Sequence, residues 1–212
     1  MLDVRRQRGT WTRVAARSVA RTGGSEGNRR LTAATAAVLL VLLAAEGVTL
    51  IAIRPLVSAH VFLGMLLLPP VGLKVATTGY RFARYYTGSR AYRVDGPPHP
   101  LLRLLGPFVV LSTAALFVSG VALAVLGPEE HGVLGLHKAS FAVWFAAMAA
   151  HVLAHLLPLP RLAAADWRRE EALPGSSLRR WLLAGSLVAG LILAVATVHL
   201  AGPWHQFVGL DE

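Results

Sequence analysis

Residues 31–80 read LTAATAAVLLVLLAAEGVTLIAIRPLVSAHVFLGMLLLPPVGLKVATTGY, and only Glu46, Arg54 and Lys74 carry formal charge in the whole stretch. Roughly 20 helical residues cross the hydrocarbon core of a bilayer, so an apolar run of this length is two spans rather than one. The runs Leu31–Ile53 and Leu56–Tyr80 meet at Arg54-Pro55, which predicts a tight turn and antiparallel neighbours. Three further runs qualify: Leu104–Leu126, Val133–Leu157 and Trp181–Leu200. Backbone polar groups in lipid must be satisfied within a helix or a closed barrel, and the period-2 alternation of a barrel is absent. The 55% hydrophobic and 15% charged composition of the 212 residues, with a mean hydropathy of +0.55, agrees. The expected fold is an all-α integral membrane protein, an antiparallel bundle of five transmembrane helices.

The chain divides into a basic arm (1–30), a four-helix membrane domain (31–157), a loop (158–180) and a fifth span with an outer tail (181–212). Val4, Trp11, Val14 and Val19 give the arm one apolar helical face, suited to anionic lipid; a mobile arm that only fixes topology is the other reading. The turn between spans 3 and 4 falls at Gly127-Pro128-Glu129-Glu130.

A formal net charge of +10 invites a nucleic-acid partner, but its distribution argues against one. Of 21 Lys and Arg, eight lie in residues 1–30, five in 81–103 and five in 161–180. With alternating spans those three segments share one side of the membrane. The positive-inside rule then puts the N-terminus in the cytoplasm and the C-terminus outside. The chain has no cysteine, which excludes iron–sulfur clusters held by this chain, covalent c-type haem and disulfides.

Ionisable residues within spans are costly and default to functional hypotheses. They are Glu46, His60, Lys74, His137, Lys138, His151 and His155, with His199 near an end. His60 and His137 each lie about one turn into their spans from the outer side. Two imidazoles at matching depth on separate helices are what a bis-histidine haem iron requires. His151 follows His137 by 14 residues, about 21 Å along the axis and about 40° off the same face. His155 returns to the His137 azimuth, and Lys74 stands 14 residues after His60. Gly64, Gly132 and Gly135 near the outer pair would let a flat macrocycle approach the backbone. Pro69-Pro70 interrupts the hydrogen-bond ladder of span 2. Glu46, in the outer half of span 1, is a candidate to accept a proton beside a quinol, the default being a donor on a neighbouring helix. Tyr80, Arg81, Arg84, Tyr85 and Tyr86 form an inner aromatic and basic belt, and His99 in the GPPHP loop reads as solvated. His199, Trp204 and His205 read as outer belt residues. Ser186 and Gly190 fit small-residue packing in span 5.

The segment SAHVFLGMLLLPPVGLK (58–74), followed by LHKASFAVWFAAMAAHVLAH (136–155), resembles small bacterial membrane cytochrome b subunits. The likeness is to the hydrogenase-type and ferric-reductase-like group, including four-helix domains that partner extracytoplasmic molybdopterin oxidoreductases. It covers about residues 56–157. The resemblance implies a four-helix haem-binding core with non-covalent haem b, His60 and His137 as axial ligands and His151 on a second haem. Lys74 stands where the two-haem pattern has a histidine, so the expectation is one haem b, with two left open. The corresponding function is electron transfer between the quinone pool and a partner subunit, expected on the extracytoplasmic side. The rival reading is a non-redox scaffold, assembly factor or small transport subunit.

Overall fold

The computed structural model describes residues 22–93, 100–168 and 171–207. The arm residues Val4, Trp11, Val14 and Val19, together with His99, lie outside them. Five long helices follow in order: α1 (Gly24–Ile51), α2 (Ile53–Tyr86), α3 (Pro100–Leu126), α4 (His131–His155) and α5 (Ser176–Thr197). All five carry stretches long and apolar enough to cross a membrane, and the described residues contain no strand. The chain is a multi-pass membrane protein. Its outward faces are apolar: Val41, Ile51, Leu111, Val118, Leu153 and Ile192 are all largely exposed.

Contacts at the two ends establish the antiparallel order. At the arginine-rich end, Asn28 Nδ2 donates to Thr77 O at 3.1 Å, tying the start of α1 to the last third of α2. Arg103 donates to the Tyr86 hydroxyl at 2.7 Å, bringing in the start of α3. At the opposite end the α1–α2 turn lies beside the α3–α4 turn, where Gly127 takes φ +89°, a conformation glycine adopts without strain.

Several boundaries differ from expectation. The first turn falls at Ala52, and Arg54-Pro55 belong to the first turn of α2, where a proline's missing N–H has no helical partner to lose. Residues 24–30, expected in the arm, are helical, and α5 begins at Ser176 rather than Trp181. Both helices start after a left-handed glycine, Gly23 (φ +74°) and Gly175 (φ +79°). A short helix, Leu159–Ala164, packs against α1 within the loop that follows α4.

α2 runs uninterrupted through Pro69 and Pro70. At 1.5 Å per residue its 34 residues reach about 51 Å, well past a hydrocarbon core of about 30 Å. Its last turns therefore carry the Tyr80–Tyr86 belt beyond the apolar layer. Pro70 has no N–H, so the Leu66 carbonyl loses its partner four residues on. That carbonyl faces α5: a Cβ built on Gly190 would lie 2.3 Å from Leu66 O. The small-residue packing expected of Gly190 is present, and it makes α5 a close neighbour of α2 rather than an outlier. Gly190→Val is expected to separate the two helices. Overpacking of this kind costs about 1–3 kcal/mol, read as a lower midpoint of thermal unfolding in detergent.

The last described segment was expected as interfacial belt. Instead the chain turns after α5 through Val198–Ala201 and Gly202–Phe207, and Trp204 is buried with Val57 and Leu123, flanked by Val133 and Leu134. The indole has apolar neighbours from three helices there, which an interfacial position would not supply. His205 Nε2 lies 2.8 Å from Ser58 Oγ, fixing this segment to the start of α2.

Candidate functional site

His60 on α2 and His137 on α4 come together just inside the Trp204 cluster, their ring centroids 6.5 Å apart and their planes at 79°. They stand one helical turn from Val57 and Val133, respectively. Each ring is anchored through Nδ1 by a different helix, and those partners fix the tautomer.

His60 Nδ1 lies 2.9 Å from Glu46 Oε1 and 3.0 Å from Thr49 Oγ1, both on α1. The Thr49 hydroxyl donates its hydrogen to the Glu46 carbonyl at 2.6 Å, so it can only accept from the ring. A carboxylate likewise accepts, so the ring proton sits on Nδ1. The same logic holds at His137, whose Nδ1 lies 3.2 Å from Leu116 O and 3.1 Å from Ser119 Oγ on α3. A carbonyl has no hydrogen to give, and the Ser119 hydroxyl donates to the same Leu116 carbonyl at 3.0 Å. In its neutral form each ring donates from Nδ1 and keeps its lone pair on Nε2. Neither Nε2 has a hydrogen-bond partner among the described residues. Metal-bound imidazoles commonly show this arrangement, the far N–H given to a carboxylate or carbonyl that orients the ring and raises its basicity.

Four glycines lie near the pair, with different surroundings. A Cβ on Gly135 would meet nothing within 4 Å, and one on Gly64 would lie 3.8 Å from Glu46 Oε1. Gly120 on α3 is the close one: its Cβ would sit 3.0 Å from His137 Cε1. A Cβ there would press the imidazole back by a few tenths of an ångström. Glu46 pairs with a neighbouring helix, as its default reading had it; its Oε2 is buried with no hydrogen-bond partner among the described residues.

The other candidates lie toward the arginine-rich end. Lys74 Nζ donates to Thr32 O on α1 at 3.0 Å. His155 is exposed, and its Nδ1 donates to His151 O at 2.9 Å, with the two rings stacked 4.6 Å apart. Lys74 is within electrostatic reach of His151, but its hydrogen bond goes to α1. Among the described residues, the histidine beside His151 is His155 of the same helix, and no histidine from another helix joins them. Trp144 and Thr113 join α4 to α3, Trp144 Nε1 donating to Thr113 Oγ1 at 3.0 Å.

Comparison with protein-family models, curated proteins and solved structures finds no match to this chain. The functional reading rests on the site itself. Among the described residues no three or more His, Cys, Asp or Glu side chains converge to hold a bare metal ion. A pair of imidazoles suits an iron whose other four positions a porphyrin supplies.

Proposed function

We propose that this protein is a haem b subunit that passes electrons within the membrane, with His60 and His137 as the axial ligands. One observation carries the reading: two imidazoles from separate hairpins meet with ring centroids 6.5 Å apart, each anchored through Nδ1 by a neighbouring helix and with no hydrogen-bond partner at Nε2 among the described residues. The haem, when bound, supplies one-electron chemistry at the iron. The chain's residues bind, orient and tune. Glu46, Thr49, Leu116 and Ser119 hold the two rings; Gly120 admits His137 against α3; the Trp204 cluster limits water at the outer side. One haem is the stoichiometry we favour, because Lys74 is committed to α1 and His155 to its own helix. The quinone pool and an extracytoplasmic redox subunit are the proposed exchange partners, since the pair lies near the end opposite the arginines.

The test is an absorption spectrum of the purified chain with extraction of its pigment. A Soret band, a reducible α band and a haem-to-protein ratio near one are expected; a colourless preparation without extractable haem rejects the reading.

Glu46→Gln is expected to keep the haem while raising its midpoint potential. A carboxylate at Nδ1 makes His60 a stronger donor and favours ferric iron. A redox titration in which the variant and the parent coincide would remove Glu46 from this role.

We also propose that the arginine-rich end faces the cytoplasm of a bacterial inner membrane. The 18 Lys and Arg in three segments on that side support it. A reporter fused after Glu212 is then active only in its extracytoplasmic form, and cytoplasmic activity there overturns the orientation.

A further inference from the structure

At the arginine-rich end, the loop after α4 and the first turns of α5 border a groove of about 270 Å³, lined by Trp167, Ser177, Arg180, Trp181 and Ala184. Two indoles are left outside the core there, Trp167 63% and Trp181 74% exposed. The Arg180 guanidinium lies over the Trp167 ring, 5.6 Å from its centroid.

The charge pattern around the groove is uneven. Arg29 and Arg30 meet Glu26, Arg168 meets Glu171, and Arg179 meets Asp166. Arg180, like Arg81, Arg84 and Arg161 at that end, has no carboxylate partner among the described residues, and of these it is Arg180 that lines the groove. A cation held on an aromatic face with its donors free calls for an anion. Ser177 adds a hydroxyl at the same wall, in the first turn of a 22-residue helix whose positive end favours negative charge.

Free phosphate would leave the rest unexplained. Exposed indoles are unfavourable in water but suit the ester and glycerol level of a bilayer. Below the groove, α5 continues as an exposed apolar stripe at helical spacing through Trp181, Ala184, Val188 and Val195. A headgroup seated in the groove would have its acyl chain directly on that stripe.

We propose that this groove binds an anionic phospholipid, its phosphate on Arg180 and Ser177, its ester region between Trp167 and Trp181, and one acyl chain along α5. The site is independent of the haem reading.

Thermal unfolding of the full chain in a neutral detergent tests it, with short-chain phosphatidylglycerol, short-chain phosphatidylcholine or inorganic phosphate added. Phosphatidylglycerol is expected to raise the midpoint saturably, and the other two to leave it unchanged. Arg180→Gln should raise the half-saturating concentration about fivefold, with the lipid-free midpoint preserved because Arg180 is exposed. Trp181→Ala, a second exposed position, should weaken the response as well. Arg168→Gln, at the same end but outside the groove, should not. Equal shifts with phosphatidylcholine, a full shift with phosphate alone, or equal losses in the Arg168 and Arg180 variants would each overturn the proposal.

Discussion

Alanine at either His60 or His137 is expected to abolish the low-spin haem spectrum of the purified chain. The two proposed ligands come from different hairpins, so removing one leaves the other unable to complete the coordination. The product is a five-coordinate high-spin haem or a colourless protein. Structural collapse is a separate outcome that the data can distinguish. Each ring hydrogen-bonds to one neighbouring helix, and its loss leaves the apolar contacts of the helix intact. The helical signal should therefore stay near the parent's while the spectrum goes, with a lower midpoint in the His60 variant because Glu46 loses its partner. If either variant keeps the full low-spin spectrum, the ligand pair is misassigned. Thr49 and Ser119 variants should act more gently, since each shares its ring proton with a second acceptor.

The largest effect on stability is expected from Arg179→Ala. Arg179 and Asp166 are 5% and 9% exposed and form a bidentate pair, and Arg179 also donates to the carbonyls of Thr22 and Pro174. Arg30 reaches Asp166 from α1. One guanidinium thus joins α1, the loop after α4 and α5. Removing one partner of a buried pair costs about 3–5 kcal/mol, because the other charge is left without compensation. A midpoint fall of less than a few degrees would show that water already screens the pair. The clamp also has a pH signature. Burial pushes the Asp166 carboxyl up, but Arg179 and then Arg30 pull harder, so it titrates below its ordinary value. Its contribution is present above the usual aspartate value of about 3.9 and is lost as pH falls through the lower folded value. Asp166→Asn should flatten that acid limb.

The helices and their hairpin order are legible in the sequence because span length and charge placement are local properties. The meeting of His60 and His137 is legible too, since the depth of a residue in a span follows from counting. What depth cannot give is azimuth. Which side of α3 faces His137 depends on how two hairpins rotate against each other, so the roles of Thr49, Ser119 and Gly120 are not legible in the sequence. The Ser119-Gly120 step, in a span that also carries Ser112 and Thr113, is the available hint. Trp204 was misread for a related reason. A tryptophan near a span end suits an interfacial belt, and only the fold shows that the chain doubles back to bury it. Glu46 could not be assigned a partner until α1 and α2 were set side by side.

The seat of Gly190 on the Leu66 carbonyl has a consequence for how the molecule is made. During synthesis α5 emerges after the four helices before it, yet its closest partner is α2. The proline-freed carbonyl of α2 must therefore wait, through insertion of the α3–α4 hairpin, for the glycine that covers it. Among these five helices, the last to emerge completes the packing of the second. A nascent protein stalled before residue 176 would carry both histidines of the proposed pair on a scaffold without its clamp, its Trp204 cover or its tightest helix crossing, and quality control would meet that form first.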